Sequence, residues 1–126
     1  MVINNIEVKK DDCIIGCATE PDGFHYMLAF AFKVGDIVDG KMKCMFHEIS
    51  SDDHDVGYYP EQQTFEKLYF YPAYDIYMVP EETMNDFISE IASKFQTGNY
   101  LDEDEVWYAF EQANKNAIKT IQKYRD

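Results

Sequence analysis

The side chains able to do chemistry are few in kind: three cysteines, three histidines and an excess of carboxylates. Cys13 and Cys17 are four residues apart, which on a strand puts both on one face. A metal site would need Cys44 and a histidine to complete a Cys3His set. Structural zinc sites usually draw on two close pairs, each separated by about two to four residues. Here there is one pair, and Ile14, Ile15 and Gly16 between its members read as strand interior. The odd number of cysteines is expected to remain as reduced, buried thiols. His25 and His47 fall on neighbouring expected strands and could form a Cys–His pair, but no spacing requires it. His54 lies among Asp52, Asp53 and Asp55. Those acids with Gly57 miss the alternating oxygens, sixth-position glycine and distal Glu of a calcium loop. The six glycines are scattered singly, so neither a dinucleotide fingerprint nor a phosphate loop can be built. No G-x-S-x-G elbow occurs. The expectation is no catalytic residue, no metal and no cofactor, hence a protein that is not an enzyme.

Acids beside aromatics are the more informative pattern. One group is Asp52, Asp53 and Asp55 with Tyr58 and Tyr59. The other is Asp102, Glu103, Asp104 and Glu105 with Trp107 and Tyr108. Helix capping accounts for Asp102 and Glu105. It does not account for four acids in a row, since adjacent like charges repel. Tyr and Trp are favoured at protein interfaces, where a rigid ring buries area and keeps a polar tip. Aromatics ringed by carboxylates suit a partner rich in Arg and Lys, through ion pairs and cation–π contacts. Core packing is expected instead for Tyr26 and Tyr69.

The elements that must position these residues are strands first and helices last. Val2 to Val8 alternates weakly. Cys13 to Thr19 is an apolar run, and Asp22-Gly23 signals a turn. Phe24 to Lys33 reads as a central strand. Phe24, Tyr26, Leu28, Phe30 and Phe32 share one face, while His25, Met27, Ala29, Ala31 and Lys33 share the other. Asp39-Gly40 reverses the chain into Lys41 to Ile49, giving an antiparallel meander. Ser50 to Pro60 has no period and reads as a loop of about eleven residues, long enough to suggest a functional role. Thr64 to Tyr71 and Ala73 to Val79 are strand-like, broken at Pro72. Pro80 with Glu81 and Glu82 opens a helix whose apolar stripe is Met84, Phe87, Ile88, Ile91 and Phe95. Gly98 would stop it. A second helix is expected from Asp102 through Tyr124, with Val106, Phe110, Ala113, Ala117, Ile121 and Tyr124 buried. The fold class is α+β: an antiparallel sheet of about five strands with two C-terminal helices on one face. No linker or repeat divides residues 1–126, so one domain is expected.

The 126 residues carry a net charge of −13, with 24 Asp and Glu against 11 Lys and Arg. Nucleic acid and anionic membrane surfaces need a cationic binder, so both are excluded as default partners. No apolar run approaches the roughly 20 residues that span a bilayer. The opening residues lack a signal peptide's apolar stretch, which predicts a cytoplasmic location. Residues 115–126 invert the balance to +3, and Lys115, Lys119 and Lys123 would form a stripe on the last helix. In size, acidity and want of a catalytic motif, with the Asp52-Asp53 and Asp102 to Glu105 clusters beside Tyr58, Tyr59 and Trp107, the chain resembles the small acidic immunity proteins of bacterial polymorphic-toxin systems, including those of contact-dependent growth inhibition. The resemblance implies neutralisation of a toxin by one-to-one binding. A basic nuclease-type toxin would be steered onto an acidic inhibitor. Two alternatives stand beside it. One is a phage anti-defence inhibitor that mimics DNA charge. The other is a small-molecule-binding domain using a pocket between sheet and helices, lined by the aromatic strand face.

Overall fold

The computed structural model describes residues 1–19, 25–52, 55–96 and 101–124. The fold is α+β as expected, with more strands: nine among the described residues instead of about five. Two of them, β1 (Val2–Ile3) and β2 (Ile6–Glu7), form a small separate hairpin. Asn4 and Asn5 make its turn, both at positive φ, which asparagine tolerates better than other side chains.

The main sheet has seven strands. β3 (Cys13–Ala18), β4 (His25–Lys33) and β6 (Lys41–Asp52) form the expected meander with β4 interior, and β7 (Asp55–Phe65), which was not expected, extends it beyond β6. Short β5 (Ile37–Val38) pairs with the start of β6 across a turn where Asp39 and Gly40 both have positive φ. β8 (Tyr74–Val79) returns to pair with β3, and β9 (Lys119–Gln122) adds to β8.

Of the expected Ser50 to Pro60 loop, residues 50–52 continue β6 and 55–60 belong to β7, while Asp53 and His54 lie outside the described residues. Register runs unbroken from Met42↔Phe65 to Asp52↔Asp55. The ladder is held by backbone bonds, so it did not need an apolar period to form, and its polar composition concealed it. Conversely, the expected strand over residues 64–71 ends at Phe65. The chain then crosses the sheet, held by the bridge Ile3↔Leu68 and by Asn4, whose amide donates to Phe70 O and accepts from Phe70 N at 2.7 Å.

Two hydrophobic clusters cover the sheet's two faces. On one, Phe30 and Phe32 are wholly buried with Ile14, Met42, Phe46, Phe70 and Ile76, beneath the β1–β2 hairpin and the 66–71 crossing. Phe30 stacks on Phe70 with ring centroids 4.1 Å apart and 8° between planes. Gly16 sits under that ring, and a Cβ there would lie 2.3 Å from Phe30 Cζ. The opposite face mixes small side chains, Cys13, Cys17, Ala29 and Ala31, with Ile15, Ile49, Tyr77 and Val79, and it seats both helices. Among the described residues the aromatic face, Phe30 and Phe32, therefore turns away from the helices, and neither lines the clefts between them. Leu28 also leaves that face. A bulge between Met27 and Ala29 swings Leu28 into the helix-side cluster beside Ala29.

α1 (Glu81–Gln96) buries Met84, Phe87 and Ile91 as expected, with Ile88 partly buried and Phe95 at its edge. α2 (Glu103–Asn114) is far shorter than expected. It unwinds into tight turns, where Asn116 N donates to Ala113 O and Ala117 N to Asn114 O. The chain then enters β9, where Ile118 N bonds Met78 O at 2.7 Å. The helical period over residues 106–121 was partly coincidence: Ala113 faces the helix-side cluster, while Ile121 belongs to the aromatic cluster across the sheet. β-branched Ile118, Thr120 and Ile121 suit a strand better than a fourth and fifth helical turn. The lysine stripe consequently does not exist, since Lys119 lies on a strand and Lys115 follows a helix end. Gly98, Asp22-Gly23 and Phe24 lie outside the described residues.

Candidate functional site

Not all of the expected site residues come together. Asp53 and His54 lie outside the described residues, as do the side chains of Asp52, Asp55, His25 and Tyr26. Tyr58 and Tyr59, adjacent in sequence, point to opposite faces of β7. Tyr59 is 57% exposed, with its ring over Gly57. Tyr58 is half-buried on the helix side, where its hydroxyl lies 2.7 Å from His47 Nδ1. It stacks between His47 and Phe95. Burial pushes the His47 imidazole below its ordinary value and the Tyr58 phenol above its own. With His47 neutral and its proton on Nε2, Tyr58 donates and Nδ1 accepts. This contact ties β6 and β7 to the end of α1.

The second group is more coherent, although its members divide by role. Asp102 caps α2, its carboxylate accepting from Glu105 N at 2.9 Å. Glu103 accepts from the buried Ser51 hydroxyl at 3.0 Å, pinning α2 to β6. Glu105 faces Lys94 of α1 at 3.5 Å. Trp107 is half-buried against Phe110, so it packs inward and is not free to meet a partner. Asp104 and Tyr108 are exposed, Tyr108 by 61%.

Asp102, Asp104, Glu105 and Tyr108 line a cleft of about 400 Å³ between α1 and α2, floored by Ile91, Leu101 and Ala109, with Glu90 and Lys94 opposite. A smaller cleft of about 150 Å³ continues it past Asp86, Phe87 and Ala113. Glu90 and Ala109 line both, so the two form one groove along the antiparallel helix pair. Sequence reasoning missed Asp86 and Glu90. Their i, i+4 spacing on the polar side of an evident amphipathic helix was the available signal. It also missed the exposure of Tyr69 and Tyr71, at 63% and 75%. Tyr69 is not a core residue, because the crossing segment buries Phe70 between them.

The cysteines are buried, with Cys13 and Cys17 on the helix side and Cys44 on the aromatic side. The sheet separates them, so a Cys3His set cannot assemble, and Cys44 cannot reach the face that carries His47. Burial raises the Cys13 and Cys44 thiols to about 11 and drives Cys17 higher still, so all three are protonated near neutrality. Among the described residues, no three His, Cys, Asp or Glu side chains gather in a way that could hold a metal ion. Nor is any helix there long and apolar enough to cross a membrane. No protein-family model, curated protein or solved structure matches the chain.

Proposed function

We propose that this chain is an acidic inhibitor of a cationic protein, acting as an immunity protein does, by covering the partner's basic active site or substrate groove. The observation that carries the reading is a set of carboxylates that the fold leaves without a side-chain partner, among the described residues, along one groove. The fold employs Asp102 as a cap, Glu103 against Ser51, Glu105 against Lys94 and Glu81 against Lys33. Asp86, Glu90 and Asp104 have no side-chain partner among the described residues, and all three line the α1–α2 groove. Together the two helices carry four carboxylates each and a single lysine, a net −7 of the chain's −13. Concentrated charge of one sign raises local potential and speeds encounter with the opposite sign. The exposed Tyr108 offers an aromatic anchor on the rim. Tyr108 and the Lys94 bridge interrupt the carboxylates, which suits a protein partner better than an uninterrupted phosphate-like row suits a duplex mimic.

The test begins with capture from the source cell at low salt and release at high salt, to identify a basic partner. That partner is then purified, and its own activity is measured with and without the chain. The expected result is one-to-one inhibition. The paired reversal Glu90→Lys with Asp104→Lys should slow association by at least about tenfold and flatten its salt dependence. Reversal of Glu61 and Glu66, away from the helices, should change the rate less than about twofold. A partner left fully active, or a rate indifferent to the groove charges, would refute the reading.

A further inference from the structure

Resting on the inhibitor reading, we infer that the α1–α2 groove receives one basic amphipathic helix of the partner, laid along both helices as a third. The groove has the length for it. Its lining runs from Thr83 to Lys94 on α1 and from Asp102 to Ala113 along α2, with Asn116 just past the end of that helix. At the α-helical rise each stretch spans roughly 16 Å, or about three turns. Its floor is apolar, and Ala109 and Ala113, one turn apart, are small enough for an incoming side chain to sit low between the helices.

The charges step at the matching interval. Asp86 and Glu90 are one turn apart, about 6 Å along the axis. One turn further stands Lys94, bridged to Glu105 on the opposite wall, where Asp104 also stands. Lys or Arg at i, i+4 and i+7 or i+8 of a docked helix would meet these levels, while apolar residues between them reach the floor. An extended segment would also present same-face residues at roughly 6.6 Å. It would, however, press unpaired backbone groups onto an apolar floor with no strand edge to satisfy them, whereas a helix bonds its own backbone. Tyr108 on the rim then packs along the helix and offers its ring to a basic head group.

Three synthetic peptides of about 18 residues and identical Leu/Lys composition test this: one with helical period, one strictly alternating and one shuffled. Each is titrated into the isotopically labelled full chain, with binding followed by calorimetry and chemical-shift mapping. The helical-period peptide should bind one-to-one, at least tenfold tighter than the other two, with shifts centred on residues 86–94 and 104–113. Tyr108→Ala and Glu90→Lys, each checked for folding by circular dichroism, should each weaken it at least fivefold. Salt-dependent binding of all three within threefold of one another would overturn the helix inference and leave the acidic-inhibitor reading standing. Tight binding that maps elsewhere would also overturn the inference. No binding by any peptide at low salt would overturn both.

Discussion

Asp102 stands where architecture and the proposed recognition meet, and two substitutions there separate them. Its φ of −105° and ψ of 174° are those of an N-cap, its carboxylate accepts from Glu105 N at 2.9 Å, and its carbonyl accepts from Val106 N. Asp102→Ala removes the cap bond, a loss of about 1 kcal/mol. It also removes a negative charge from the positive end of the α2 dipole, worth about 0.3–1 kcal/mol. Relief of repulsion from Glu103, Asp104 and Glu105 offsets part of the second loss. The net expectation is a destabilisation of about 1–1.5 kcal/mol, or a fall of roughly 4–6 °C in Tm for a chain of this size. Asp102→Asn keeps the acceptor oxygen and loses only the charge, so it should stay within about 0.5 kcal/mol of the parent. Trp107, the single tryptophan, lies in α2 against Phe110 and reports the transition in a urea titration. Both variants remove one charge, so both should slow a basic partner's association equally. Equal stabilities for the Ala and Asn variants would refute the capping argument. A more stable Ala variant would mean that repulsion within the acidic run dominates.

Two further expectations follow from the two faces of the sheet. Gly16→Ala should destabilise by about 1–3 kcal/mol, because the added Cβ meets a Phe30 ring that its stack on Phe70 holds in place. Phe30→Leu should cost less in the Gly16→Ala background than in the parent, measured by a double-mutant cycle in urea, and simple additivity would sink the account. On the other face, burial holds the folded-state pKa of His47 below its unfolded value of about 6.5. The unfolded chain then binds the proton first, so this stabilisation is complete above about pH 6.5 and falls as pH drops toward the folded-state value. Carboxylates titrate at still lower pH, so the quantity to measure is parent minus His47→Gln between pH 8 and 5.5. It should decline on acidification, and a flat difference would reject the coupling.

The sequence was most legible where one physical signal acted alone. The apolar stripe of α1 and the alternation of Met42, Cys44 and Phe46 against Lys43 and Met45 each had a single explanation, and both stand. Legibility failed where two signals overlapped. Ala113, Ala117 and Ile121 match a helical period, yet a turn after Asn114 sends the first and last to opposite faces of the sheet. It failed again where backbone bonding alone decides. The Asp55–Phe65 strand carries Gly57, Pro60 and several polar residues, and only its pairing with β6 makes it a strand. A bulge between Met27 and Ala29 reversed the expected facing of both Met27 and Leu28, which no local composition announces. For the site, the run 102–105 was visible as excess charge. Its division into residues the fold uses and residues it leaves facing the groove required knowing where Ser51 and Lys94 lie.

The division of labour between the two sheet faces explains how the helix layer can bear its charge. Eight carboxylates on two adjacent helices repel one another, and that repulsion must be offset by stability from elsewhere. The aromatic face is an independent source. Phe30 alone contacts the rings of Phe32, Phe46, Phe70 and Tyr74, all sealed by the N-terminal hairpin and the crossing segment without help from either helix. Burying one such ring contributes on the order of 2–3 kcal/mol. The helix-side face interleaves the small Cys13, Cys17, Ala29 and Ala31 with larger residues such as Ile15 and Ile49. The small side chains leave room for α1 and α2 against the sheet, with Glu103 turned in to Ser51 and Asp86, Glu90 and Asp104 outward. Acids at the helix starts are partly relieved by the dipole, which accounts for Glu81, Glu82 and Glu103. Asp86 and Glu90 lie beyond the first turn and gain nothing from it. They are tolerated because the sheet's far face holds the fold together, and their place in the groove is the one the proposed cationic partner would use.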